Sequence, residues 1–133
     1  MMETGWTRFA GFTVTDGYDP ADGAAMELTG SMAELHDVVF EGNEGLNIVR
    51  SQDSDIDLRG VIFAGNTVSP DGQALRVDGG NVNMDQSEID CDGGAQAVWH
   101  HVALLVVDSE ITCDTGYGIQ DYHGEDHILR STI

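Results

Sequence analysis

Three observations in the amino-acid sequence predict an all-β fold, a right-handed single-stranded parallel β-helix of about five coils of 22–26 residues. First, a nine-residue pattern recurs without internal gaps at Phe9–Gly17, Leu35–Asn43, Leu58–Asn66, Met84–Asp92 and Val106–Asp114, and Ile128–Ile133 begins it again. The first residues of these segments are 26, 23, 26, 22 and 22 positions apart. Second, each segment is apolar at its first and sixth positions, and the complete ones carry Asn, Asp or Gly at the ninth. Third, a shorter alternating stretch follows each one: Ala25–Leu28, Gly45–Ile48, Ala74–Val77, Ala97–His100 and Gly118–Asp121. Alternation with period two is the mark of a half-buried strand.

A leucine-rich repeat is the rival solenoid, because Leu35–Asn43 and Leu58–Asn66 fit its L-x-x-L-x-L-x-x-N core. That architecture continues into a helix or a Leu-bearing convex segment. Here the intervals hold Gly, Asp, Ser and Thr, which are poor helix formers, and no i, i+3, i+4 apolar stripe occurs. Three short strands per coil, with corners at Gly, Asn and Asp, account for both repeats.

Taken in chain order, residues 1–8 are a lead-in and residues 9–133 form the solenoid, expected to be a slice of a longer one or to associate through its coil ends. Stacked coils lie about 4.8 Å apart, so equivalent residues touch. The expected inward columns are Phe9, Leu35, Leu58, Met84, Val106, Ile128 and Val14, Phe40, Phe63, Ile89, Ile111, Ile133. Asn43, Asn66, Asp92 and Asp114 form a corner column suited to a structural ladder of amides and carboxylates bonding backbone groups. Cys91 and Cys113 occupy equivalent positions in adjacent coils, where earlier coils carry Gly42 and Gly65. Neighbouring coils fall within disulfide reach, while in-register side chains make the torsion awkward, so stacked thiols and a bridge both stand.

Phe40-Glu-Gly-Asn43 and Phe63-Ala-Gly-Asn66 resemble the F-x-x-N motif of polymorphic outer-membrane protein repeats. Gly23–Met26, Gly72–Leu75 and Gly94–Val98 resemble degraded forms of the partner motif G-G-A-[ILV]. Residues 9–133 are, more widely, similar to the pectin-lyase-like β-helix superfamily. The later coils depart from the motif, with Ile89 and Ile111 for Phe and Asp92 and Asp114 for Asn. The resemblance implies a β-helix. It also sets the functional alternatives: an extracellular or cell-surface scaffold or adhesin, or a fragment of a polysaccharide lyase or glycoside hydrolase.

Composition narrows the partners. Against 24 Asp and Glu stand five Arg and no Lys, a formal charge of −19, which excludes nucleic acid bound by counterion release. No apolar run reaches the roughly 20 residues of a transmembrane helix. With the apolar residues turned inward, the acids fall on corners and outer faces, where salt or calcium should screen them. A polysaccharide or surface glycan is the expected partner.

Several outward groups are candidate site residues. Glu88 and Glu110, expected one coil apart, and Asp90, two residues beyond Glu88, are the calcium candidates, or the acid/base carboxylates of an enzyme; the bland reading is a screened acidic surface. Asp53–Asp57 is half of an EF-hand-like loop, and Asp16, Asp19 and Asp22 share a second acidic loop. His101 and His123, one coil apart, are a candidate imidazole pair for a borderline metal. Trp99 is expected to face outward between Arg76 and Gln120, a sugar platform or a ring packed beneath a loop, with His100 at the corner beyond it. Leu105, Val107 and Leu129 also point outward, against the polar-out rule. Of the mid-chain cations Arg50, Arg59 and Arg76, none is expected in a cluster of acids, which argues against lyase chemistry.

Overall fold

The computed structural model describes residues 6–101, 103–114, 116–121 and 125–133. Among them there are sixteen strands and no helix. The first coil holds β1 (Thr7–Ala10), β2 (Thr13–Val14) and β3 (Tyr18–Thr29); the second β4 (Met32–His36), β5 (Val39–Phe40) and β6 (Glu44–Gln52). The third holds β7 (Asp55–Arg59), β8 (Ile62–Phe63) and β9 (Thr67–Asp78), and the fourth β10 (Val82–Asp85), β11 (Glu88–Asp90) and β12 (Gln96–His100). The fifth holds β13 (Ala103–Val107), β14 (Glu110–Thr112) and β15 (Tyr117–Asp121), and β16 (Glu125–Leu129) opens a sixth. The first strands of successive coils stack into a six-stranded parallel sheet A; the second and third strands form five-stranded parallel sheets B and C. The protein is a parallel β-solenoid of about five turns.

In-register stacking puts like residues on like residues. The two predicted inward columns fill the core: Leu35, Leu58, Met84 and Val106 from sheet A, and Phe40, Phe63, Ile89 and Ile111 from sheet B, are buried. The Phe40 and Phe63 rings stack with centroids 4.7 Å apart. At the far end the columns surface, with Ile128 42% and Ile133 51% exposed.

Sheet C shifts one predicted alignment. Val49, Arg50 and Ser51 pair with Leu75, Arg76 and Val77, so the stretch matching Ala74–Val77 is Ile48–Ser51, three residues later than Gly45–Ile48. The reason is an irregular step: Gly45 pairs with Val68 but Asn47 already pairs with Gln73, so Ser69–Gly72 stand against the single Leu46 and the third coil accommodates three extra residues in a bulge. Gly72 sits where a Cβ would lie 1.6 Å from the Leu46 carbonyl oxygen, so the bulge admits no side chain there.

Corners recur as strictly as strands. Between sheets A and B every coil turns through a left-handed residue: Gly11, Asp37, Gly60, Gln86, Asp108 and Arg130, at φ between 47° and 70°. The next residue is Phe12, Val38 or Val61 in the early coils and Ser87, Ser109 or Ser131 in the later ones. These serines form a second ladder. The amides of Val61, Ser87 and Ser109 each donate to the Oγ of the following coil's serine at 3.1 Å. Each Oγ donates in turn to the carbonyl two residues back, at 2.9, 2.8 and 2.8 Å.

The predicted amide ladder lies between sheets B and C. The amides of Gly17, Asn43 and Asn66 donate to Asn43 Oδ1, Asn66 Oδ1 and Asp92 Oδ2 at 2.9, 3.1 and 3.1 Å. Asn43 and Asn66 also donate through Nδ2 to the Val14 and Phe40 carbonyls, both at 2.9 Å. These bonds pair polar groups at a buried bend that would otherwise be costly to desolvate. Burial pushes the Asp92 carboxyl above the usual range, with the Asn66 amide opposing and Asp90 adding to the rise. Asp114, the fourth predicted rung, is exposed. Cys91 and Cys113, the residues directly before Asp92 and Asp114, are joined by a disulfide across a Cα separation of 5.0 Å.

Candidate functional site

The outer face of sheet C carries Glu27, Arg50, Arg76, Trp99 and Gln120 in one column, because each is the register partner of the next. Trp99, Arg76 and Gln120 are therefore neighbours, as the alternation requires. The Arg76 guanidinium carbon lies 4.6 Å from the centroid of the Trp99 ring, a cation–π stack. Arg76 also donates through Nε and Nη2 to the two carboxylate oxygens of Asp78, at 2.9 and 3.2 Å. Arg50 pairs with Asp22 and holds its Nε 3.6 Å from Asp78, within ion-pair reach but too far for a hydrogen bond. The ring of His101 meets the Trp99 ring edge-on at 4.4 Å.

The expectation that the mid-chain arginines avoid acids is thus corrected for two of them. Asp78 is two residues beyond Arg76 on the same strand face, and the register brings Arg50 beside it. Asp22 comes from the irregular part of β3, which linear reading does not align. In the same loop Asp19 Oδ1 accepts from the amides of Ala21 and Asp22 at 2.9 and 3.1 Å, closing a turn rather than facing Asp22 across a site.

Histidine 100 is also corrected. It lies in the inward column with Ser51 and Val77, is 1% exposed, and sets Nε2 2.8 Å from Asp126 Oδ1. Its buried ring continues the alternation that turns Trp99 out. His101 is described beside Trp99, while His123 lies outside the described residues.

On sheet B, Glu88 and Glu110 stand directly opposite each other on β11 and β14. They line a groove of about 570 Å³ with Ile62, Ser87, Ser109 and the Asp108–Arg130 pair. Asp90 does not line it; its Oδ1 accepts the Asp92 amide at 3.0 Å and belongs to the corner. Arg130 donates to both oxygens of Asp108 at 2.6 and 2.8 Å, which holds that carboxyl below its ordinary range. Among the described residues, no three His, Cys, Asp or Glu side chains are placed to hold a metal ion. Leu105 and Val107 are half-buried and Leu129 is 51% exposed, with Val107 and Leu129 side by side on sheet A.

Sequence reading missed the serine ladder and the Arg50–Asp78–Arg76 cluster. The first had a signal, since Ser-Glu-Ile recurs at Ser87–Ile89 and Ser109–Ile111 with the coil period. The second had half of one, the i, i+2 spacing of Arg76 and Asp78, whereas Arg50 joins only through the register of β6. No helix among the described residues is long and apolar enough to cross a membrane. In comparisons with known proteins, no family model, no curated protein and no solved structure matches the chain.

Proposed function

We propose that this chain is a non-catalytic segment of an extracellular or cell-surface β-helix scaffold, similar to the pectin-lyase-like superfamily, that binds glycans along the outer face of sheet C. The observation that carries the reading is the in-register column Arg50–Arg76–Trp99–Gln120, with Asp78 hydrogen-bonded to the Arg76 guanidinium and within ion-pair reach of Arg50. A planar or amide side chain recurs at each coil step, a spacing close to one sugar residue of an extended glycan. Aromatic surface beside oriented donors and acceptors is what a sugar, apolar on its ring face and polar on its rim, requires. One face of the indole carries Arg76, so a sugar meets this column through guanidinium, amide and indole edge together. The Cys91–Cys113 disulfide supports an oxidising location outside the cytosol.

A second reading rests on the groove of sheet B, where Glu88 and Glu110 oppose each other as paired carboxylates of a lyase or hydrolase fragment would. Acidic and neutral polysaccharides, tested for binding and turnover with and without calcium, separate the two. Binding that Gln120→Ala and Trp99→Ala weaken, without turnover, supports the scaffold. Turnover that disappears in Glu88→Gln or Glu110→Gln overturns it in favour of the enzyme.

A further inference from the structure

The sheet A–B corner holds a second concavity, of about 310 Å³, lined by Arg8, His36, Asp37, Arg59, Gly60 and Gln86. Its charge is out of keeping with the rest of the surface. Five arginines stand against 24 acids, and three of the five are paired with carboxylates: Arg50 with Asp22 and Asp78, Arg76 with Asp78, and Arg130 with Asp108. The other two, Arg8 and Arg59, both line this one pocket. Arg59 makes no hydrogen bond or ion pair among the described residues, although Asp85 is its register neighbour on β10. Arg8 reaches across a coil to His36 Nδ1 at 3.1 Å, a contact in which the guanidinium donates and the imidazole accepts. That contact holds one face of Arg8 while adding no negative charge. His36 Nε2 is 3.8 Å from Glu34, and Asp37 is the single carboxylate among the lining residues.

We infer that Arg8 and Arg59, held on either side of His36, form a binding site for an oxyanion: a carboxylate, sulfate or phosphate group. Guanidinium forks match such planar or tetrahedral oxygen sets through paired hydrogen bonds, and unpaired arginine donors are the groups that gain most from an incoming anion. The net charge of −19 repels anions at a distance. That field is screened beyond about 8 Å at physiological salt, so recognition here is a contact effect rather than one of steering. The site stands apart from the sheet C column and does not depend on the glycan reading.

The test titrates the whole chain with sodium sulfate, phosphate and acetate, against sodium chloride at matched ionic strength, following the arginine Nε–Hε resonances by NMR. A saturable shift of the Arg59 and Arg8 signals with at least one oxyanion and none with chloride is the expected result; the three anions identify the preferred oxygen set. Arg59→Gln removes a side chain with no hydrogen-bond or ion-pair partner among the described residues, so it should melt with the wild type while its dissociation constant rises about tenfold or more, the scale of a lost charge-assisted contact. Arg130→Gln should bind as the wild type. An equal response to chloride, undiminished binding in Arg59→Gln, or equal loss in Arg130→Gln would each overturn the inference.

Discussion

Coils two and three and coils four and five share one backbone but close it with different chemistry. In the earlier pair, Phe40 stacks on Phe63, Asn43 bonds Asn66, and the corner before the amide ladder turns through Gly42 and Gly65, at φ 66° and 67°. In the later pair, Ile89 and Ile111 replace the rings, Asp92 replaces the amide, and Cys91–Cys113 takes the glycine positions. There the left-handed turn moves one residue on, to Asp92 at φ 46°. The later coils also exchange Val38 and Val61 for Ser87 and Ser109, which bond along the stack. Smaller apolar side chains bury less surface, so the later coils lean on a covalent link and on side-chain hydrogen bonds where the earlier ones lean on ring packing.

The largest effect should come from the ring stack. Phe63→Ala removes a fully buried ring with a Phe on one side and Ile89 on the other, and should cost about 4 kcal/mol; Ile111→Ala should cost about 3 kcal/mol. Chemical denaturation of both variants checks this. Equal losses would show that the two pairs of coils share their burden evenly and would break the comparison.

Removing the disulfide comes next. Its sequence separation of 22 corresponds to about 3 kcal/mol of loop-closure entropy. Because a solenoid coil touches only its neighbours, the loss should be local. In the Cys91→Ser/Cys113→Ser double variant, amides of β14 and β15 should exchange faster with solvent while those of β5, β6 and β8 keep their protection. Uniform loss of protection would mean that the stack unfolds as one unit and that the link holds no particular coil.

These contrasts also mark what the sequence made legible. The period, the two inward columns and the Asn43–Asn66–Asp92 rungs follow from position-by-position identity, because stacking forces equivalent residues together. The Gly45–Ile48 alignment failed because a bulge changes the number of residues between two corners without changing the apolar pattern that guides the eye. Trp99 was readable as outward from its own neighbours, whereas the Arg50–Asp78–Arg76 cluster depended on that misread register. Likewise the unpaired state of Arg59 is a fact of side-chain geometry that no count of charges conveys.

Asp92→Asn sharpens the comparison by giving the fourth coil the amide of the second and third. Burial raises the Asp92 carboxyl, so the native state holds that proton to higher pH than the unfolded chain, and folding is disfavoured as pH rises through this window. The amide removes that penalty. It can also donate to the Phe63 carbonyl as Asn66 does to Phe40, and it tolerates the left-handed backbone. Asp92→Asn should therefore melt above the wild type at neutral pH, with the gain shrinking toward and below the unfolded-state value of about 3.9. A variant less stable at pH 7 would show that the charged oxygen is the better acceptor for Asn66.

The smallest effect belongs to the Asp108–Arg130 pair, which closes the later coils on the outside as Ser109 and Ser131 do within. Arg130 holds the Asp108 carboxyl low, so its contribution is present above the unfolded-state pKa and is lost as pH falls through the lower, folded one. Both side chains are exposed, at 40% and 69%, and an exposed pair is screened by salt and offset by the entropy of holding two side chains still. Arg130→Gln should then shift the melting temperature barely at low salt and not at all at high salt, with its difference from the wild type also vanishing in acid. A salt-independent loss would mean that Arg130 matters through its left-handed backbone at φ 47° rather than through its charge. Arg130→Gly, which keeps that turn and discards the ion pair, would then match or exceed the wild type.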